Sequence, residues 1–443
     1  MKITTSYKVK IKHYRRIFKN TIRIYREAVD FVIPVVFRYW DEIKDMSQGT
    51  QKRDHIDDYI HATKQNPKPK YKKFDEQFYK MPSYIRRAAI TDAIGKVSSY
   101  KSNLANWEQE DTASRGERPG YPRAGFTFPV MYRDGSYVRT NTYTARIKIY
   151  TRNTWDWVDI NLRKSDVDYI RHHCLNRKES APTLMKKGKE WYLQFAYEEY
   201  HKLNETVEQN RRILAVDLGL NSPAVCSVME SDGTIQGRHF CSLPAETDHL
   251  KHALNRIKKA QQKGSYENRA LWGRAKGIND DIADKTSDFI IKTAVLYNVD
   301  VIVFEHLDLQ GKKKGSKKER LHMWKAQAVQ QMTTDKAHRL GIRISHVNAW
   351  KTSQLAFDGS GTVTRGNDAG FNTYSICRFQ NGKIYNCDLN ASYNIGARYF
   401  IRELLKTLSE TRRLAILAKV PECAKRSTCT LSSLISLNAA LEA

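Results

Sequence analysis

Three acidic residues constrain this chain most, because each sits at the end of an otherwise apolar or regular element. Asp217 closes the apolar run "RILAV", Glu305 closes "VDVIVF", and Asp388 opens the helical stretch "CDLNASYNIGAR". Burying an unpaired carboxylate costs roughly several kcal/mol. An acid directly after a buried strand therefore needs either a solvated loop or a partner. Taken singly, each acid meets that need with a surface loop just past a strand end. Taken together, they sit at fixed points in an ordered series of elements.

That series runs through the second half of the chain. Strands at "RILAVD", "AVCSV" and "GTIQGRHFCSL" are followed by a charged helical stretch from Ala245 to about Asn298. Next come a nearly continuous apolar strand, "VDVIVFEHL", a helix, "LHMWKAQAVQQMTTDKAHRLG", and a fifth strand, "IRISHV". A Gly-rich irregular segment spans residues 348–386, and a last helix runs from about Asp388 to Leu405. This is the element order of an RNase H-like fold. In that order the ends of the first and fourth strands lie side by side, and the last helix begins over the same sheet edge. Asp217, Glu305 and Asp388 are then expected to converge. Three converging carboxylates repel one another unless cations lie between them. Oxygen-only ligands suit Mg²⁺ or Mn²⁺. Two such ions roughly 3.5–4 Å apart serve phosphodiester hydrolysis by activating water and stabilising the leaving oxygen.

Charge supports a polyanionic partner. Lys and Arg number 75 against 48 Asp and Glu, a net charge of +27 in 443 residues. Such an excess favours nucleic acid, whose binding releases counterions. With 40% hydrophobic residues the chain can bury a core, unlike a disordered basic tail. No apolar run reaches the length of a membrane span, and the N-terminus lacks a signal-peptide pattern. Seven cysteines, none in a CxxC pair, argue against a disulfide framework. A cytoplasmic, nucleoid-associated protein is expected. The absence of GxxxxGK[ST], GxGxxG and GxSxG argues against an NTP-driven motor, a Rossmann dehydrogenase and an α/β-hydrolase.

The first half divides by texture. Residues 2–12 alternate as a strand does. Phe18, Ile22, Tyr25, Val29, Val32 and Val36 mark one buried helix face, with Pro34 expected to kink that helix or end it early. A second helix is expected over "SYIRRAAITDAIGKVSSYKSNLANWEQ". From about Thr112 to Tyr200, short alternating runs predict a small β-barrel or sandwich, with a hairpin turning at Lys187-Gly188-Lys189. The lysine run from Lys312 to Lys318 reads as a solvated loop or as a contact for phosphate backbone.

The motifs "AVDLGLN", "VFEHL" and "CDLNASYNIGAR", in this order, resemble the three RuvC motifs of transposon-encoded TnpB proteins and compact type V CRISPR effectors. "GKEWYLQFAYE" resembles the last wedge-domain strands of that family, and "NAWKTSQ" resembles the segment after its second RuvC motif. The resemblance implies a multidomain chain of α/β and β class. A wedge β-barrel would occupy residues 1–12 and 113–205, with a helical recognition domain inserted at 13–112. A RuvC nuclease domain would occupy 206–347 and 388–406, with a target-nucleic-acid-binding insert at 348–387 and a C-terminal tail at 407–443. It also implies an RNA-guided DNA endonuclease with guide RNA and target DNA as partners. Asp217, Glu305 and Asp388 match the acids that hold Mg²⁺ or Mn²⁺, and Asn390 and Asn394 match asparagines expected to support the site from behind. Two other readings share parts of this pattern. A silent RNA-guided repressor or transposition accessory would be expected to lose an acid. A guide-independent RNase H-like transposase or nuclease would not explain the wedge-like strands.

One departure stands out. Where the family carries two CxxC pairs that hold zinc, this chain has Ala356 and Gly359 at the first, and Cys377 with Gln380 at the second. Cys387 is too isolated to rebuild the site. No zinc is expected, and packing of Phe357, Phe371, Tyr374, Phe379 and Tyr385 is expected to hold the insert.

Overall fold

The computed structural model describes residues 1–12, 17–109, 116–175, 177–219, 222–307, 325–425 and 427–443. The lysine run at 312–318 and the start of the helix expected from Leu321 lie outside them. The described chain forms two compact units, one of residues 2–199 and one of Met1 with residues 200–443.

The first unit joins helices to two sheets. Its helices are α1 (Ile17–Arg38), α2 (Trp40–Ile43), α3 (Gly49–Ile60), α4 (Lys73–Gln77), α5 (Ser83–Gln109) and α6 (Lys164–His173). The apolar positions of α1 fall where their spacing puts them: Phe18, Ile22, Tyr25, Val29, Val32 and Val36 are all buried. The helix continues past Pro34 to Arg38. Only about one turn follows the proline, so little helix is lost to its missing N–H. Helices α1, α3 and α5 share a core built from Val29, Ile33, Ile56, Ile85 and Ala89. A buried bidentate pair, Arg86 to Asp57 at 2.7 and 3.2 Å, fixes α5 on α3.

The strands of this unit are β1 (Lys2–Lys10), β2 (Tyr137–Asn141), β3 (Thr144–Thr151), β4 (Thr154–Asn161), β5 (Lys178–Glu179), β6 (Thr183–Lys187) and β7 (Glu190–Tyr200). They correct the expectation of a barrel. β7 pairs with β1, β5 and β6 in one sheet, and β2-β3-β4 form another. Among the described residues a single bridge, Ile11 to Leu162, links the chain just past β1 to the chain just past β4, Val130 to Thr183 ties a loop to β6, and no barrel closes. Closure needs a continuous ladder around the ring. Here the chain leaves β4 and turns into α6, whose Val167 and Ile170 seal the apolar interior with Val9, Trp191 and Leu193.

The second unit is built on one five-stranded sheet. Its strands are β8 (Ile213–Asp217), β9 (Val225–Met229), β10 (Ile235–Phe240), β11 (Val301–His306) and β12 (Arg343–Asn348), in the order β10-β9-β8-β11-β12. β8, β9 and β10 run antiparallel in turn, and β11 lies parallel to both β8 and β12. The helical stretch expected over 245–298 breaks at a Gly264 turn with φ +80°, giving α7 (Pro244–Gln262) and α8 (Arg269–Leu296). Later helices are α9 (Ala326–Arg339), α10 (Cys387–Thr407), α11 (Glu410–Lys419) and α12 (Leu431–Glu442).

Side chains alternate across the sheet, so each strand feeds two cores. Leu214, Val216, Ile302 and Phe304 pack with Ile290 and Ala294 of α8 and Ala337 of α9. Ile213, Ala215, Val301 and Val303 pack under α10. Gly396 brings α10 close: a Cβ there would stand 2.8 Å from Met229 and 3.3 Å from the Ala215 Cβ. The expected tail is part of this second core, because Ile416, Leu431, Leu434 and Leu437 bury against it. The irregular insert contains a small sheet of β13 (Thr364–Arg365), β14 (Ile376–Arg378) and β15 (Ile384–Asn386).

Candidate active site

The parallel register of β8 and β11 pairs Ile213 with Val301 and ends at Val216 with Phe304. Asp217 and Glu305 are each the next residue. Alternation puts both on the face covered by α10. Asp388 lies in the first turn of α10, where Asn386 caps the helix by accepting from Asp388 N at 3.0 Å and Leu389 N at 2.9 Å. An acid at a helix N-terminus is favoured by the helix dipole.

The charges of the other two acids reach Asp217. Burial raises the pKa of Asp217 well above the usual carboxylate range, and the charges of Glu305 and Asp388 raise it further. Burial also raises Glu305, against the lowering effects of the Thr352 hydroxyl and of Arg398. Asp388 is raised by burial and held back by Arg365. Asp217 is thus within electrostatic reach of both other sequence-predicted acids.

The other predicted residues stand behind it. Asn390 Nδ2 donates to Leu355 O at 2.8 Å, and its Oδ1 accepts from Phe357 N at 2.8 Å. Asn394 Nδ2 donates to Thr352 O and Leu355 O, both at 2.9 Å, and its Oδ1 accepts from Leu431 N at 3.3 Å. Both asparagines therefore fasten the 352–357 backbone to α10 rather than touching the acids. Their buried amide groups find these partners because the segment has no ladder of its own.

Three further residues went unassigned in the sequence. Thr352 donates its hydroxyl to Glu305 Oε1. Arg398 donates to Asn348 O, Trp350 O, Ser427 O and Cys429 O at 2.7–3.2 Å, and its charge reaches Glu305. Arg365, on β13, acts electrostatically on both Asp217 and Asp388. One of its terminal nitrogens is buried without a hydrogen-bond partner among the described residues. "NAWKTSQ" and "CDLNASYNIGAR" flagged Thr352 and Arg398 as parts of motifs, whereas Arg365 carries no local signal.

Apolar packing fills the insert. Ala356, Cys377, Phe379 and Cys387 are buried together. Phe357 lies 5.5 Å from Phe379, 5.0 Å from Tyr385 and 5.1 Å from Tyr393, ring centre to ring centre. Tyr374 is exposed and takes no part in this core, and Phe371 instead lies under the Arg378 guanidinium.

Among the described residues, no three His, Cys, Asp or Glu side chains stand close enough to form a metal cage by themselves. The donor set nevertheless fits a hard divalent cation. Mg²⁺ uses only one or two carboxylates and completes its shell with water and substrate phosphate. The mutual repulsion at Asp217 is what such a cation relieves.

Comparison with known proteins adds the following. A family profile described as the Aq_aa04 family matches residues 4–151. An uncharacterized protein, aq_aa04 of Aquifex aeolicus (strain VF5), is 42% identical over 72 residues, which span 15% of this chain and 41% of that protein. The solved Cas12f1 in complex with sgRNA and target DNA is 14% identical and superposes with a TM-score of 0.54, covering 84% of this chain and 81% of its own. The fold of this chain is accordingly similar to that of this Cas12f1. Alicyclobacillus acidoterrestris C2c1 with single-guide RNA is 10% identical, covering 86% of this chain and 70% of its own, at a TM-score of 0.41, too loose a likeness to define a fold. No helix among the described residues is long and apolar enough to cross a membrane.

Proposed function

We propose that this protein is an RNA-guided, Mg²⁺- or Mn²⁺-dependent DNA endonuclease with a RuvC-type site at Asp217, Glu305 and Asp388. The observation that carries the reading is the meeting of three acids, drawn from two neighbouring parallel strands and a helix start, in a chain of net charge +27. The sheet order β10-β9-β8-β11-β12 supports an RNase H-like nuclease domain. The likeness to a Cas12f1 solved with guide RNA and target DNA supports the same two partners here. On this reading residues 206–347 and 388–406 form the nuclease, 1–12 and 113–205 a wedge-like β region, 13–112 a helical recognition region, and 348–387 a target-binding insert without zinc.

Each residue has a definable task. Asp217, Glu305 and Asp388 supply oxygen ligands to the divalent cations. Bound there, the cations supply the Lewis acidity for phosphodiester hydrolysis. Thr352 fixes the rotamer of Glu305, and Asn394 fixes Thr352. Arg365 presents a guanidinium nitrogen that no described protein group uses, suited to a phosphate oxygen. The rest of the positive charge holds nucleic acid by its backbone, without reading sequence.

The test couples two measurements. RNA that co-purifies with the protein is sequenced, and a plasmid library bearing a matching target is incubated with the complex and Mg²⁺. Cutting that vanishes with EDTA and in Asp217→Ala supports the assignment. Binding of a guide without any cutting by the unaltered protein would support the silent repressor instead.

A further inference from the structure

The 2–199 unit holds a second concave site, remote in sequence from the acids. A cavity of about 550 Å³ opens between β2 and α6, within the roughly 300–1,000 Å³ typical of ligand pockets. Four arginines, Arg133, Arg139, Arg171 and Arg177, line it. Two are already neutralised: Arg133 pairs with Glu179 at 2.6 Å, and Arg177 pairs with Glu199 at 3.0 Å. The second oxygen of Glu179 is taken by the Tyr197 hydroxyl at 2.6 Å. Among the described residues neither Arg139 nor Arg171 has a carboxylate within ion-pair distance.

Arg139 is also held in place. Its Nε donates to the Tyr137 hydroxyl at 3.1 Å, one terminal nitrogen donates to Thr142 O at 2.9 Å, and the guanidinium lies 5.4 Å from the Phe195 ring centre. Its other terminal nitrogen is left for a ligand. A fixed guanidinium loses little entropy on binding an anion. Beside these charges the wall carries the carboxylates Asp134 and Glu179 and an apolar stretch where Ile170 is buried and Leu175 is 79% exposed at the rim. Duplexes offer phosphates but keep their bases stacked, so they make no use of an apolar wall inside a pocket. An unpaired nucleotide uses both parts, with phosphate on arginine and base on apolar surface.

We infer that this pocket binds one unpaired nucleotide of a single-stranded nucleic acid, its phosphate on Arg139 and Arg171 and its base against Ile170 and Leu175. The inference rests on the reading of the protein as a nucleic-acid-binding effector and adds a subsite to it.

The test uses full-length protein and a 5′-phosphorylated uridine trinucleotide carrying one 4-thiouridine, with the deoxy version as a second arm. Photocrosslinks are mapped by mass spectrometry, and affinity is read by fluorescence anisotropy. Arg171→Glu and Leu175→Ser change exposed side chains, and thermal melts check that both variants stay folded. Arg171→Gln replaces Arg171→Glu if the latter unfolds. Crosslinks in the 170–177 peptide, at least tenfold weaker binding in the Arg171 variant and at least threefold in Leu175→Ser support the site. The two arms tell whether RNA or DNA is its source. Crosslinks confined to other peptides, or affinities within twofold of the unaltered protein, overturn the proposal while leaving the parent reading intact, provided that long RNA is still retained. Failure of the unaltered protein to retain long RNA overturns both.

Discussion

Thr352 donates its hydroxyl to the Glu305 carboxylate, although the two are 47 residues apart in the chain. The backbone of Thr352 is pinned in turn by Asn394, nearly two turns beyond Asp388 on the same helix. A strand acid is thus oriented by the helix that carries another acid, through one threonine. Thr352→Val keeps the shape and removes the donor. Cleavage is expected to fall by about tenfold or more, with a higher Mg²⁺ requirement, as when a group orienting a metal ligand is lost. Metal titrations of single-turnover rates check this, and an unchanged Mg²⁺ dependence would count against it.

Asp217→Ala and Glu305→Ala should each abolish cutting, by a factor on the order of 10³ or more, with guide and target binding within about threefold. Gel-shift and plasmid-cleavage assays on the same preparations separate the two effects. Substantial cutting by either variant would sink the site assignment.

Arg365→Ala should lower the cleavage rate by about 10²-fold, the scale of a lost charge-stabilising donor. Affinity for target should change little, since one cation among 75 Lys and Arg is removed. A variant that binds poorly but cuts normally once saturated would refute this role.

The raised carboxyl pKa values predict a pH signature in metal-free protein. An acid raised on folding favours the native state fully below its unfolded value of about 4, and this contribution is lost as pH rises through the raised native value. Asp217→Asn removes one such group. Its thermal stability in EDTA should therefore match the unaltered protein near pH 4 and exceed it increasingly toward neutrality. Melts across that range check the sign, and a constant or reversed difference contradicts it. Mg²⁺ should stabilise the unaltered protein more than the variant.

The insert offers a stability test. Phe357 contacts Phe379, Tyr385 and Tyr393, so Phe357→Ala should cost about 2–3 kcal/mol, less than a fully buried phenylalanine because Phe357 is half-buried. Elemental analysis of the purified protein should find little zinc. Near-stoichiometric zinc would mean that the Cys377 and Cys387 region holds metal after all.

The sequence made some of this legible and hid the rest for physical reasons. Strands β8 and β11 could be read because apolar runs and their terminal acids are local signals. The register that sets Asp217 beside Glu305 is not local, and only the element order hinted at it. The strands of the first unit were visible too, but barrel closure depends on ladders between distant strands, and α6 interrupts them. Thr352, Arg365 and Arg398 escaped because their partners are backbone carbonyls or charges in other segments. Helices α11 and α12 went unassigned although α12 is rich in apolar residues, because the core that Ile416, Leu431, Leu434 and Leu437 join is set by packing against α10, which is not local in sequence.

Arg398 also sets the timing of assembly. Two of its four carbonyl partners belong to Ser427 and Cys429, and Leu431 supplies the N–H that Asn394 accepts. All three acids leave the ribosome before these residues do. The nascent chain can lay down its sheet and its acids early, but the clamp behind them closes only after residue 431 has emerged. The setting of the three acids is therefore completed late in the life of each molecule, when most of its positive charge has already been synthesised.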